Sequence, residues 1–196
     1  MVNITFLFSQ FLSGLTYGMM LFLVSAGLSL IFGVMNILNF AHATLWLMGA
    51  YFCYSFWSYL HQTLSIALWI SIPLAGLAVA LIGALIEIVL IRRIYKRELY
   101  EQLLITFSLT LILGDLIKIF WGVTDKLIER PEIIQKPVFI FGAPFDSYFI
   151  FVITAGSLVA IGLWWFLKYT KYGHIVKAAV YSREMVSALG IPIPRI

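Results

Sequence analysis

GVMNILNFAHATLWLMGAY, residues 33–51, sets two asparagines and a histidine inside the most apolar part of the chain. Working outward, no Asp, Glu, Lys or Arg occurs before Glu87, and residues 5–59 are built mainly from Leu, Ile, Phe, Val, Ala, Gly and Tyr. A helix crossing the ~30 Å hydrocarbon core needs about 20 such residues, so this run holds two crossings with about 15 residues to spare. The surplus falls near Asn36 to His42. Of the 196 residues, 62% are hydrophobic and 11% charged, against about 25% charged in soluble domains, and mean hydropathy is +1.00. These values mark an integral membrane protein.

Later apolar runs complete the expected architecture, an all-α polytopic transmembrane bundle of about five spans near 5–35, 41–59, 66–91, 103–123 and 148–168. Barrel strands would instead alternate in short segments broken by turns. Arg92, Arg93, Lys96 and Arg97 follow the third span, and Lys168, Lys171, Lys177, Arg183 and Arg195 follow the fifth. Cations collect on the cytoplasmic side. Both basic stretches therefore belong in the cytoplasm, and the N-terminus and residues 124–147 belong outside. Trp57, Trp69, Trp121 and Tyr148 fall at the outer boundary and Trp164, Trp165, Tyr169 and Tyr172 at the inner one, as interfacial aromatics do. The expected division is a transmembrane region over 1–171 and a cytoplasmic segment over 172–196.

Several classes are excluded. No positively charged n-region precedes the first apolar run, so it is not a secretory signal. The single Cys53 rules out an intrachain disulfide and reads as a small core hydrophobe. A net charge of +4 is explained by cations flanking spans, and no nucleic-acid surface is expected. His42, His61 and His174 fall in different loops and not at ligand spacing. No phosphate loop or Gly-x-Ser-x-Gly motif is present, so an intramembrane enzyme is not expected.

Asn36, Asn39 and His42 recur every third residue, and on a continuous helix they would share one stripe. Two readings fit. They are turn and cap residues at the cytoplasmic end of the first span, or they belong to a discontinuous helix whose amides and freed backbone groups line a pathway.

The run Tyr17 to Tyr51 resembles the N-terminal signature of the membrane permeases of branched-chain amino acid ABC importers, the H-type subunit in particular. Gly27, Leu28, Leu30, Ile31, Gly33 and Val34 match its first half, and Asn39, Phe40, Ala41, His42, Gly49, Ala50 and Tyr51 its second. Ala43 and Thr44 depart from it, standing where the family carries glycine and an acidic or small residue. The stretch Ile86 to Glu98, with Glu87 and the basic cluster, is also similar to the family. Taken from the residues alone, Glu87 lies one turn from the interface and pairs with Arg92 or snorkels.

The tail from Tyr172 to Ile196 reads as a short amphipathic helix over about 174–189. Ile175, Ala178, Ala179, Ser182, Val186 and Leu189 form one face, opposite Lys177, Tyr181 and Glu184. Gly190 stops it and Pro192 and Pro194 prevent its resumption. Such a helix can lie flat on anionic lipid. The resemblance implies another role, the coupling loop that docks on an ATPase, with Lys177, Ala178, Arg183, Glu184, Leu189, Gly190 and Ile191 in the family's positions. Ser182 and Val186 replace the family's usual Asp and Ala.

The resemblance further implies an importer subunit in a bacterial or archaeal plasma membrane, acting on branched-chain amino acids or related amides and urea. Its partners would be a second permease subunit, cytoplasmic ABC ATPases and an extracytoplasmic substrate-binding protein. The chain itself would carry no cofactor, ATP being held by the ATPases. Asn36, Asn39, Phe40 and His42 would line the substrate pathway. Family members continue past the coupling loop with further spans, so a fragment, a truncated product or half of a split permease is expected. The competing function is a non-transporting scaffold that assembles with another permease.

Asp115 and Lys118, three residues apart in the fourth span, read as a structural pair with the lysine reaching outward, in preference to an ion or substrate site. Pro73 is expected to kink the third span. Gly14 with Gly18, Gly76 with Ala80 and Ala84, and Gly156 with Ala160 offer spacing for close helix approach. The outer segment, with its apolar VFIFG at 138–142, suits either a binding-protein dock or an interfacial turn.

Overall fold

Long apolar runs satisfy their own backbone groups only as helices, and helices dominate the computed structural model, which describes residues 4–35, 37–95, 97–131, 135–140, 143–182 and 186. In chain order the elements are α1 (Ile4–Met35), α2 (Ala41–Leu60), α3 (Ala67–Val89), a 3-10 turn (Ile91–Ile94) and α4 (Leu99–Trp121), then β1 (Val138–Ile140), β2 (Ala143–Phe145), α5 (Ser147–Tyr169) and α6 (Lys171–Tyr181). The expected all-α polytopic bundle is found, with one two-stranded antiparallel hairpin in the segment expected outside.

Among the described residues, four stretches are long and apolar enough to cross a membrane: Phe6–Gly33, Ala67–Ile94, Leu99–Trp121 and Ser147–Tyr169. The expected second span, α2, has 20 residues, about 30 Å of helix. Its length is sufficient. Its Tyr51, Tyr54, Ser55, Trp57, Ser58 and Tyr59 dilute the hydropathy, which is why it stands apart from the other four. The bundle is a multi-pass membrane protein with aliphatic side chains turned outward, as Leu77, Leu81 and Leu85 show along one face of α3 at 60%, 66% and 61% exposure.

The chain divides into two compact units, Met1–Asn36 with Lys136–Ile196, and Ile37–Gln135. In the first, α1 packs on α5 and α6. Gly156 of α5 sits so close to Met19 that a Cβ there would meet Met19 Cβ and Sδ at 3.0 Å. Fourteen residues after Met19, Gly33 touches Val180 of α6, the helix that follows α5. Helices α1 and α5 therefore run parallel. The other small-residue spacings make no such approach: a Cβ at Gly14, Gly18 or Gly76 would meet nothing within 4 Å.

In the second unit, α2 packs on both α3 and α4. The Thr106 hydroxyl of α4 lies 3.4 Å from the Leu38 carbonyl just before α2, and Trp121 Nε1 at the far end of α4 donates to Ser55 Oγ at 2.7 Å. Two contacts in the same order make α2 and α4 parallel over most of their length, with α3 reversed between them in sequence. Ala41, Met48, Leu109, Leu113 and Ile117 form the core of this unit. The buried Ser71 Oγ bonds within its own helix, to the Ala67 carbonyl at 2.8 Å. Helix α3 continues through Pro73, and α4 ends where Gly122 takes a left-handed φ of 81°.

Candidate functional site

The Asn39 turn answers the opening stretch. Helix α1 ends at Met35 and α2 begins at Ala41, so Asn39 occupies a break in the helical path and His42 the first turn of α2. Asn39 is 6% exposed, and its Oδ1 accepts the Ala41 N–H at 3.0 Å. That bond satisfies one of the donors a helix start leaves unpaired. The Asn39 carbonyl accepts from His42 N–H at 3.2 Å, closing the turn. Asn39 therefore precedes the helix and shares no helical stripe with His42. Phe40 is about half exposed and meets Phe107 edge to face at 6.5 Å. His42 is half-buried. Asn36 lies outside the described residues.

Two buried α4 side chains that the sequence reading passed over hold the surrounding chain, Thr106 behind this turn and Gln102 at the connector before α4. Thr106 is fully buried. Its hydroxyl donates to the Gln102 carbonyl at 3.0 Å and stands 3.4 Å from Leu38 O. Gln102, 6% exposed, reaches the connector before α4, donating from Nε2 to Arg97 O at 2.9 Å and Ile94 O at 3.3 Å. Among the described residues its Oε1 is buried without a partner. Gln102, Thr106 and Thr110 recur every fourth residue in an apolar helix, a polar stripe legible in sequence although its partners are not.

The connector carries Arg92, Arg93 and Arg97, Lys96 lying outside the described residues. Glu87 accepts from Arg92 at 3.2 and 3.3 Å and from Tyr95 Oη at 2.5 Å. This is the expected Arg92 pairing with a tyrosine added. Arg97 pairs with Glu101 at 3.8 Å. Asp115 and Lys118 form their i,i+3 pair at 3.0 Å, both side chains mostly exposed.

Helix α6 differs from its expected bounds. It begins at Lys171 instead of 174 and leaves helical geometry at Ser182, φ −159° and ψ 106°. Thr170 alone separates it from α5. Its Oγ1 donates to Phe166 O at 2.6 Å, and accepts the Gly173 N–H at 3.0 Å as the N-cap of α6. A Cβ at Gly173 would strike the Phe166 carbonyl and lie 2.6 Å from Leu167 Cα. Only glycine permits an elbow this tight. Ala179 is buried and Ile175 half-buried, while Lys177 and Tyr181 point out, all as the expected amphipathic pattern requires. Ala178, placed on the apolar face, is exposed. Val186 is buried at 3% and donates its N–H to Ser182 O at 3.3 Å. Arg183, Glu184, Leu189, Gly190 and Ile191 lie outside the described residues.

In the segment expected outside, β1 and β2 pair Val138 with Phe145 and Phe139 with Pro144. Phe145 is buried and Phe139 is 71% exposed. Asp146 then caps α5, Oδ1 accepting the Tyr148 N–H at 2.9 Å. Among the described residues no His, Cys, Asp and Glu side chains cluster in a way that could hold a metal ion.

Comparison with known proteins agrees with this architecture. The family described as "Branched-chain amino acid transport system / permease component" matches residues 10–196. The high-affinity branched-chain amino acid transport system permease protein LivH of Salmonella typhimurium is 22% identical over 199 residues, which cover 95% of this chain and 63% of the relative. LivH of Escherichia coli K12 shows the same identity and coverage. The chain thus spans 63% of the length of these curated relatives. No solved structure matches. With a match from residue 10 to residue 196, on a helical membrane bundle, the protein belongs to the branched-chain amino acid transport permease family.

Proposed function

We propose that the chain is a permease subunit of an ABC importer, passing branched-chain amino acids or related amides and urea delivered by an extracytoplasmic binding protein. The observation that carries this reading is the α5–α6 elbow. An amphipathic helix joined to a span by one capped residue and a space-limited glycine cannot swing freely, so a push on α6 reaches α5 as displacement. ATP hydrolysis takes place on separate ATPase subunits, and α6, with Lys177 and Tyr181 pointing out, is their docking element. Arg183, Glu184, Leu189, Gly190 and Ile191 extend that element in the proposal.

Five crossings accompany this reading. Since α2 lies beside α4 in the same direction, it reaches the same depth, and the parallel α1 and α5 require an odd number of crossings between them, supplied by α2, α3 and α4. Placing the basic stretches after α3 and α5 in the cytoplasm leaves the N-terminus and the β-hairpin outside, in the plasma membrane of a bacterium or archaeon. A second permease subunit completes the pathway. Asn39 and Phe40, before α2, and His42, in its first turn, contribute to its lining together with Asn36. Apolar walls distinguish one methylene by only about 1–3 kcal/mol, so fine selectivity belongs to the binding protein.

The test is uptake of labelled leucine into vesicles holding this chain with candidate ATPase, second-permease and binding-protein partners. Uptake that needs both ATP and the binding protein is expected. Assembly of the complex without uptake would refute transport and leave a scaffold.

A further inference from the structure

A cleft of about 450 Å3 opens where α1, α5 and α6 meet, walled by Leu30, Gly33, Leu167, Val176 and Val180, with Lys177 at its edge. That volume falls within the range of small-molecule sites, about 300–1,000 Å3. Among the described residues its walls are mostly apolar, with Ser29 and Tyr181 the polar members, and its one charge is the Lys177 ammonium. Between Ser147 and Ser182 the chain carries Lys168, Lys171 and Lys177 and no Asp or Glu. The cleft lies at the C-terminal ends of the parallel α1 and α5, the level at which a span leaves hydrocarbon. Lys168 stands there over Trp164 at 4.7 Å and Tyr169 at 5.3 Å, a cation and aromatics placed as they are at a headgroup layer.

We propose that this cleft binds one anionic phospholipid, its acyl chain against Leu30, Leu167, Val176 and Val180 and its phosphodiester on Lys177. An apolar slot opening at the end of two spans, with a lone cation at its lip and no carboxylate in α5 or α6, complements a molecule that is hydrocarbon at one end and anionic at the other. A free phosphate would leave the walls wet, and a zwitterionic lipid would bring its own cation beside the ammonium. The bound lipid wedges α6 against the bilayer and sets its resting position. This goes beyond the transport reading, because lipid binding is measured on the chain alone and survives even if α6 docks no ATPase.

The experiment is native mass spectrometry of the full chain released from detergent. The probes are phosphatidylglycerol, phosphatidylcholine with the same acyl chains, and glycerol phosphate as the headgroup without them. One lysine near an anionic lipid headgroup is worth about fivefold in affinity, so phosphatidylglycerol should bind as a single adduct at least that much tighter than phosphatidylcholine. Lys177→Gln should remove the preference and leave phosphatidylcholine binding unchanged. Ser29→Phe, at an exposed position on the cleft edge, should block both lipids, and Lys126→Gln, outside the cleft, should block neither. Equal binding of the two lipids, an unaffected Lys177→Gln variant, displacement by glycerol phosphate, or an equal loss in Lys126→Gln would each overturn the proposal. Unchanged elution volumes establish that the variants are folded.

Discussion

Adding one methyl group at Gly173 should disable the α5–α6 elbow. A Cβ at this position would lie 2.6 Å from Leu167 Cα and 2.9 Å from the Leu167 carbonyl carbon, where carbon atoms rest at about 3.5–4.0 Å. The obstruction is backbone and cannot rotate away, so α6 must shift by about 1 Å at residue 173 to restore that spacing. Gly173 stands about 4.5 Å along the axis from the Thr170 hinge and the far end of α6 about 16 Å, so the shift grows to about 3.5 Å at Tyr181 by the ratio of those lengths. Overpacking of this kind costs about 1–3 kcal/mol, or several degrees in Tm for a chain of this size. Thermal unfolding of Gly173→Ala in detergent, followed by size exclusion, reads the stability loss. In the importer proposed above, ATP-dependent leucine uptake reads the displacement and should fall at least about tenfold, since a 1 Å misplacement can cost that and more. Gly162→Ala is the control: nothing lies within 4 Å of a Cβ there, and helix propensity alone should leave it neutral or stabilised by about 0.5–1 kcal/mol. A Gly173→Ala protein with wild-type Tm and uptake would refute the elbow.

Three further outcomes are expected. Asn39→Ala removes the side-chain acceptor of Ala41 N–H and should destabilise the chain by about 0.5–2 kcal/mol, with Asn39→Ser recovering part of the loss in the same thermal assay. Gly156→Leu must displace Met19 and should cost about 1–3 kcal/mol, whereas Gly14→Leu, facing open space, should unfold at the wild-type temperature. Thr106→Val, isosteric but without the hydroxyl, should lower stability by about 0.5–1.5 kcal/mol, and hydrogen exchange should show faster opening confined to the turn around Leu38.

Hydropathy made the long helices legible to within a few residues, because it depends on composition along a continuous stretch. The exceptions have local causes. The fourth span closes at Trp121 instead of residue 123 because Gly122 adopts φ 81°, a choice the apolar neighbours do not announce. The tail helix starts three residues early because the Thr170 side chain caps it. Small-residue spacing looked alike at Gly14, Gly76 and Gly156, yet only Gly156 meets a neighbouring helix, since contact depends on which face a partner covers. The polar turn was visible as Asn36, Asn39 and His42, but its support was not. Thr106 reaches Leu38 O from 68 residues away, and a threonine in an apolar helix more often bonds its own preceding turn, as this one also does.

The central claim is that α6 lies in the cytoplasm, where ATP-driven work can reach it. Tyr181 is 93% exposed, so Tyr181→Cys in a Cys53→Ala background offers one accessible thiol to a membrane-impermeant maleimide. Intact cells should leave it unlabelled, and permeabilised cells should label it fully. Labelling from outside in intact cells would place α6 on the wrong face of the membrane and contradict the account.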